Sequence, residues 1–464
     1  MRASLFQLQA AVNGATASAD AQISGISTDS RKAGKGDLFV ALRGEKFDAH
    51  DFLPQVAAQG AAAVVVEYAP AGLGIPALVV PDTKTALAEI ARYWRRQFAL
   101  PVIGVTGSNG KTTVKEMIAS ILASHAGADL SLATSGNLNN EIGVPMTVLR
   151  LQAEHKAAVI ELGMNHPGEI TLLASIAEPT VGLVNNAQRE HQEFLHTVQA
   201  VAEENGTVIR QLPADGVAVF PADDTYSALW HSYAEESGQR RIVTFGLSGD
   251  ADVSCSYTPN QFGSDLLMKI GGQEFTVKLV AAGVHNVRNA LAAAACCSAI
   301  GVANDVIARG LEAFSPVSGR LQKKQADNGA TVIDDTYNAN PDSVRAAIDV
   351  LAQAGADGIL VLGDMGEVGA DGAAFHEEIG AYARQRGIGQ VLTLGVLAQH
   401  TAASFGPAAR NFDDIQPLLA ALDGSMAAGS TVLVKGSRFM KMERVIQHLT
   451  RHTQHTAQHT TGSH

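Results

Sequence analysis

Short apolar runs alternate with amphipathic segments along the whole chain, and the alternation restarts twice. In the first hundred residues DLFVAL (37–42), AAVVV (62–66) and ALVV (77–80) read as strands, and TKTALAEIARYWRRQF (83–98) reads as a closing helix. The run LPVIGVTG then opens a new strand–loop–helix unit, which puts a boundary near residue 99. From there to about residue 315, AAVIELG (157–163), VGLVNN (181–186) and GVAVF (216–220) are near-continuous apolar runs between helical segments. Strands covered on both faces have that signature. After Pro316 the pattern restarts with TVIDD (331–335), GILVLGD (358–364), QVLTLG (390–395) and TVLVKGS (431–437), each followed by a helical segment. The expected fold is α/β in three domains. A small α/β N-terminal domain covers 1–98, a central P-loop-type mononucleotide-binding domain 99–316, and a Rossmann-like domain 317–450. The polar, histidine-rich end (451–464) has no apolar face and is expected to be disordered.

Length and charge narrow the picture further. A chain of 464 residues exceeds one ordinary core, and a net charge of −12 argues against a protein built to grip nucleic acid. No window approaches about 18 uninterrupted apolar residues, so no membrane span is expected. Gln7, Gln9 and Asn13 interrupt any signal-like apolar stretch, which favours an amphipathic first helix. Cys255, Cys296 and Cys297 give an odd count, the last two in the apolar run LAAAACCSAI. Small core residues in a reducing cytoplasm fit better than a redox or metal pair.

The chemistry concentrates at GVTGSNGKTT (104–113), between an apparent strand and an apparent helix. The usual phosphate loop reads G-x-x-x-x-G-K-[ST], but Val105 occupies the first glycine position. The phosphate-contacting half is intact. Backbone N–H groups of Gly107, Ser108, Asn109, Gly110 and Lys111 and the helix N-terminus, with Thr113, are expected to face phosphates. Lys111 would neutralise the terminal phosphates and Thr112 would ligate magnesium. Two residues at strand ends suit the same metal. Glu161 closes an apolar run, and His191, in VNNAQREHQEF, follows the next one; a lone loop histidine could equally be solvated.

The string T-G-S-N-G-K-T resembles the loop of the Mur ligase superfamily. That superfamily includes the cytoplasmic peptidoglycan-precursor ligases and the folylpolyglutamate synthetases, which phosphorylate a carboxylate with ATP and let an amine attack it. The resemblance implies ATP and Mg2+ as cofactors, with Glu161 and His191 as metal ligands. It also places a carbamylated lysine fourteen residues after that histidine, where this chain has Asn205. A Glu204 or Asn205 oxygen, or water, is the expected substitute. Alone, GVHNVRN (283–289) is a helix start packed on a core; the resemblance makes Asn286 and Asn289 adenine or ribose contacts. Arg320 becomes a phosphate contact, catalytic with Lys111 and His191, and Asp335 a ribose contact.

Further matches concern the acceptors. Residues 27–52 resemble the family's uridine-diphosphate module, which gives substrate roles to Ser30, Arg31 and Lys46. The amide-rich TSGNLNNEIGVP (134–145) offers Asn137, Asn139 and Asn140. In DDTYNANPDS (334–343) a capped turn carries Tyr337, Asn338 and Asn340, and KGSR (435–438) adds Lys435 and Arg438. These two strings resemble the branch that joins D-alanyl-D-alanine to UDP-N-acetylmuramoyl-tripeptide. The resemblance implies an acyl phosphate formed in a cleft between the central and C-terminal domains, whose closure carries Asp335 toward the nucleotide. A monomer is expected. The alternative is a nucleotide-binding scaffold without turnover, motivated by Asn205.

Overall fold

The computed structural model describes residues 1–451 apart from Glu45, His191, Ser237, Gln239, Gln261 and Ala356. The tail from 452 onward lies outside the described residues. Three main sheets follow one another along the chain. The first has five strands in the order Thr16–Ala17, Ala77–Val79, Ala63–Val66, Asp37–Val40 and Gly25–Ser27, parallel except at Thr16–Ala17. Helix Thr83–Arg95 (α1) closes it, started by the Asp82 carboxylate accepting from the Thr85 N–H at 2.6 Å. The first helix, Leu5–Ala11, buries Leu5 and Leu8 and leaves Phe6 in solvent.

Nine strands form the second sheet. Val102–Thr106 (β1) lies between Ala157–Glu161 (β2) and Val181–Val184 (β3), parallel to both. These strands are buried throughout because helices cover both faces. Helix Lys111–Ala126 (α2) and helix Val284–Ala299 (α5) pack on one face, and helices Glu169–Ala177 (α3) and Val198–Arg210 (α4) on the other. The expected strand–helix alternation to residue 315 fails in one stretch. Val253–Asn260, Gly263–Ile270 and Gln273–Leu279 extend the sheet as an antiparallel meander with no intervening helix. In Gly263–Ile270 buried and exposed residues alternate, the mark of a strand with one wet face, so this region lacks continuous apolar runs.

The third sheet runs Gln322–Gln325, Thr331–Asp335 (β4), Thr431–Lys435 (β5), Gly358–Gly363, Gln390–Leu394 and Ala409–Phe412, parallel except at its first strand. Helices Pro341–Gln353 (α6) and Gly372–Gln385 (α7) pack together on one side of it. Cys255, Cys296 and Cys297 are buried and free. No described helix is long and apolar enough to cross a membrane.

The two joints between sheets differ in chemistry. One continuous apolar core contains Leu38, Val65 and Ile90 from the first unit and Val102, Leu162 and Trp230 from the second. Arg95 reinforces that joint by donating to the carbonyls of Phe98, Ala177 and Glu178, the last two at the C-terminus of α3. By contrast, among the described residues Ala282 is the only buried apolar residue preceding the third sheet that joins its cores. That second joint is mostly polar.

Candidate active site

The register explains why the phosphate loop tolerates Val105. Val105 lies inside β1, paired with Glu161 on one side and Leu183 on the other, and its side chain is buried in the core. The turn begins only at Gly107 (φ 131°), where a Cβ would come within 2.9 Å of the Asn185 Cβ. Gly110 (φ 82°) is the N-cap of α2, and a Cβ there would lie 2.4 Å from Asn289 Oδ1. Glycine is needed at these two positions: Gly110 matches the second glycine of the usual loop, and Gly107 stands two residues after the place of the first.

Residues 185–190 staple this loop from the side. Asn185 donates to the Asn109 carbonyl at 2.8 Å and to Asn289 Oδ1 at 3.0 Å, and Asn289 donates to Asn286 Oδ1 at 3.1 Å. Asn286 and Asn289, expected at the nucleotide base, thus join a largely buried amide chain against the loop, and both also line the cleft beside it. The N–H groups of Ser108 and Asn109 are taken by Asn186 O and Asn186 Oδ1, and Gly107 N–H by Asn205 Oδ1 at 2.8 Å. These three do not offer their N–H groups to a ligand, contrary to expectation. The first-turn N–H groups of Lys111, Thr112 and Thr113 have no intrahelical partner by helical geometry and remain suited to an anion. Lys111 Nζ folds onto the Gly107 and Ser108 carbonyls at 2.5 and 3.0 Å and pairs with Glu190 at 3.1 Å.

Glu161 ends β2 beside the loop and is nearly inaccessible to solvent. One carboxylate oxygen accepts from Asn139 Nδ2 at 2.9 Å, whereas Oε2 is buried without a partner. An orphaned carboxylate oxygen next to a phosphate loop fits a cation. Among the described residues, no group of three or more His, Cys, Asp or Glu forms a metal cage. Magnesium needs none, since it usually combines one or two carboxylates with phosphate oxygens and water. His191 lies outside the described residues. The expected oxygen substitutes for the carbamate are engaged elsewhere. Glu204 accepts from the N–H groups of Gly168 and Ile170 at the start of α3, both at 2.9 Å, and Asn205 ties Gly107.

The loop faces the third sheet across a cleft of about 1010 Å³. Arg320 and Tyr337 share its far wall, with the guanidinium 4.2 Å from the ring centroid. Asp335 and Lys435 are register partners on β4 and β5, joined at 2.6 Å; Lys435 also donates to the Asn338 carbonyl. Asp335 therefore arrives paired, with its other oxygen accepting from the Leu321 N–H at 3.1 Å. His285, near the start of α5 in the central unit, lines the same cleft. Burial pushes its pKa down to about 4, against an opposing pull from Asp335, so the ring is neutral at pH 7. Asn340 caps α6 and exchanges amide hydrogen bonds with Asn109 across the cleft, at 2.9 and 3.4 Å.

Several expected contacts fall elsewhere. Asn139 orients Glu161, and Asn140 accepts from the Ile142 and Gly143 N–H groups at a helix start; both still line the cleft. Asn137 is exposed outside it. Arg438 is not among the lining residues, but it stands at the cleft margin, 5.9 Å from the ring centroid of the lining Tyr337, and pairs with Glu443. Ser30, Arg31 and Lys46 lie in the first unit, the part of the chain for which uridine-diphosphate contacts were expected, and do not line the cleft; Arg31 is exposed and paired with Asp29. Asn185, Asn186, Gln188, Arg189, Glu190 and His285 were not anticipated. The amide run after β3, in VNNAQREH, was the available signal, because β3 neighbours the loop strand.

Comparison with known proteins adds an independent line. The description "Mur ligase family, catalytic domain" matches residues 22–95, "Mur ligase middle domain" residues 105–297, and "Mur ligase, glutamate ligase domain" residues 319–438. The UDP-N-acetylmuramoyl-tripeptide–D-alanyl-D-alanine ligase of Escherichia coli K12 is 39% identical over 449 residues, 96% of this chain and 98% of the relative. A crystal structure of MurF from Acinetobacter baumannii superimposes with a TM-score of 0.90 at 35% identity, covering 97% of this chain and 99% of that one. MurF ligase from Thermotoga maritima in complex with ADP gives 0.82 at 26% identity, covering 93% and 98%.

Proposed function

Because the chain belongs to the Mur ligase family, we propose that its inter-domain cleft joins D-alanyl-D-alanine to UDP-N-acetylmuramoyl-tripeptide at the cost of ATP. The protein is an ATP-dependent, peptide-bond-forming ligase of peptidoglycan precursor synthesis. The observation that carries this reading is likeness along nearly the whole chain, 39% over 96% of it, to a ligase of that activity.

ATP lies with its phosphates on Gly110–Thr113 at the N-terminus of α2. Lys111, held in this structure by Glu190 and the loop carbonyls, would exchange them for phosphate oxygens. Thr112, Glu161 and His191 hold magnesium; the unpartnered Glu161 Oε2 supports this assignment. When bound, the ion withdraws charge from the phosphate oxygens. The tripeptide's terminal carboxylate attacks the γ-phosphorus, the bond to ADP breaks, and Lys111 and Arg320 stabilise the moving phosphoryl group. The dipeptide amine then attacks the acyl carbon of the mixed anhydride. Phosphate leaves from the tetrahedral intermediate, and the amine proton passes to solvent.

Tyr337, Asn338 and Asn340 face the acceptor side of the cleft, Asn139 and Asn140 its opposite wall. Ser30, Arg31 and Lys46 hold the uridine diphosphate end on the first unit. Both cleft walls come from one chain, consistent with a monomer acting in the cytoplasm, where ATP is available. The test is ADP release with UDP-N-acetylmuramoyl-tripeptide, with and without D-alanyl-D-alanine. Release that requires both and yields the pentapeptide supports the reading; nucleotide binding without turnover points to a scaffold.

A further inference from the structure

We propose that Arg189 is a positioning residue that couples the occupied phosphate loop to the docked state of the C-terminal domain. The inference rests on the reading that ATP occupies the loop and both acceptors meet in the cleft. Arg189 follows directly on the residues that staple the loop, and precedes Glu190, which holds Lys111. One short segment therefore grips the nucleotide loop and, through Arg189, the opposite wall.

The grip on the opposite wall is a double fork. Arg189 Nε and Nη2 donate to Asp342 at 3.1 and 2.6 Å, while Nη1 and Nη2 donate to Glu378 at 2.6 and 3.1 Å. Its backbone N–H adds a bond to Asp342 Oδ2 at 2.9 Å, and the guanidinium lies 5.4 Å from the Phe375 ring centroid. Arg345 meets Glu378 from the C-terminal side at 3.0 Å. All three clasp side chains are only a quarter to a third exposed, so salt screens them less than an ordinary surface pair. Planar guanidinium geometry matters here, because the lysine ammonium is a point charge without the paired coplanar donors that engage each carboxylate.

The clasp and the loop meet on one helix. Asp342 is in the first turn of α6, whose N-cap Asn340 bonds Asn109 in the phosphate loop. The start of α6 is thus held at two points by the nucleotide-side assembly. The apolar core that fuses the first two units does not extend across this joint, where among the described residues Ala282 is the lone buried apolar contribution to the far cores. Opening the joint therefore exposes little apolar surface, and the polar clasp is left to set the open–closed equilibrium. Linkage makes the coupling reciprocal: nucleotide favours docking, and docking tightens nucleotide by the same factor.

The test uses the full chain with fluorophores on the central and C-terminal domains, titrated with a non-hydrolysable ATP analogue and magnesium. Arg189→Ala, Arg189→Lys and Glu378→Gln are compared after thermal melting establishes that each is folded. In the wild type the analogue raises the closed fraction. Arg189→Ala is expected to lower the closed-to-open ratio by about tenfold or more and to raise KM for D-alanyl-D-alanine, with Arg189→Lys in between. Glu378→Gln shifts both readouts the same way, and the double variant is no worse than Arg189→Ala alone. Arg189→Ala that binds the analogue yet keeps the wild-type closed fraction and dipeptide KM would overturn the coupling, as would strictly additive effects. Failure of the wild type to bind the analogue would instead overturn the nucleotide reading, and the coupling with it.

Discussion

Replacing Gly110 with alanine isolates the packing behind the phosphate loop from simple backbone strain. The control is Gly168→Ala, because both glycines are helix N-caps in nearly the same conformation, φ 82° and ψ −3° against φ 89° and ψ −11°. An alanine in that left-handed region costs about 1–2 kcal/mol at either site. Their surroundings differ. At Gly168 an added Cβ meets nothing within 4 Å, whereas at Gly110 it lies 2.4 Å from Asn289 Oδ1 and 2.8 Å from Asn185 Nδ2. Relief requires a shift of roughly 1 Å, which breaks the Asn185–Asn289 bond or the Asn185–Asn109 bond. A buried amide left unpaired costs about 1–3 kcal/mol. The expected totals are thus about 1–2 kcal/mol for Gly168→Ala and about 2–5 kcal/mol for Gly110→Ala. Urea unfolding monitored at Trp230, which is buried in the core that includes the central unit, reads the stability difference. Displacing the loop by about 1 Å should also lower ligase turnover by about 100-fold in Gly110→Ala, with little change in Gly168→Ala. Equal stability losses in the two variants, or wild-type turnover in Gly110→Ala, would refute the reasoning.

Three further outcomes are expected. Glu161→Gln removes a carboxylate assigned to magnesium, so turnover should fall by at least about 100-fold and the magnesium concentration for half-maximal rate should rise; an unchanged magnesium titration would count against the assignment. His285 has a folded pKa of about 4, below its ordinary unfolded value, so the folded state binds fewer protons between the two. Its contribution to stability should be complete above about pH 6.5 and be lost progressively as pH falls toward 4. The loss is up to about 3 kcal/mol, and His285→Gln should flatten the dependence measured by urea titration. Asn205 has no amine to carbamylate and no lysine occurs between Lys156 and Lys269, so removing carbon dioxide and bicarbonate from the assay should leave the rate unchanged. A rate restored by added bicarbonate would show that another lysine takes that role.

Much of the architecture was legible because buried parallel strands must be apolar along their whole length. The runs at 157–163, 181–186 and 331–335 correspond to β2, β3 and β4 for that reason. The meander at 253–279 was not legible, since strands with one wet face carry a weaker pattern, here in YTPNQFGSDLLMKIGGQEF. Site residues followed the same division. Lys111, Thr112 and Glu161 sit where a strand end or helix start dictates direction, so local sequence was enough to place them beside one cleft. Asn137 and Arg438 sit on connections whose course depends on distant packing, and neither lines the cleft.

By itself, the sequence determined where the buried parallel strands and the phosphate loop lie, and its likeness to the ligase family extends along nearly the whole chain. Periodicity, glycine and the loop string are local properties carried by adjacent residues. The tertiary structure decided which side chains work together. Asn205 meets Gly107 98 positions away, Asn340 meets Asn109 231 positions away, and Arg189 meets Asp342 and Glu378 153 and 189 positions away. Side-chain hydrogen bonds and ion pairs act only over a few ångströms. Their partners are chosen by strand order and domain docking, so they exist only once the chain has folded.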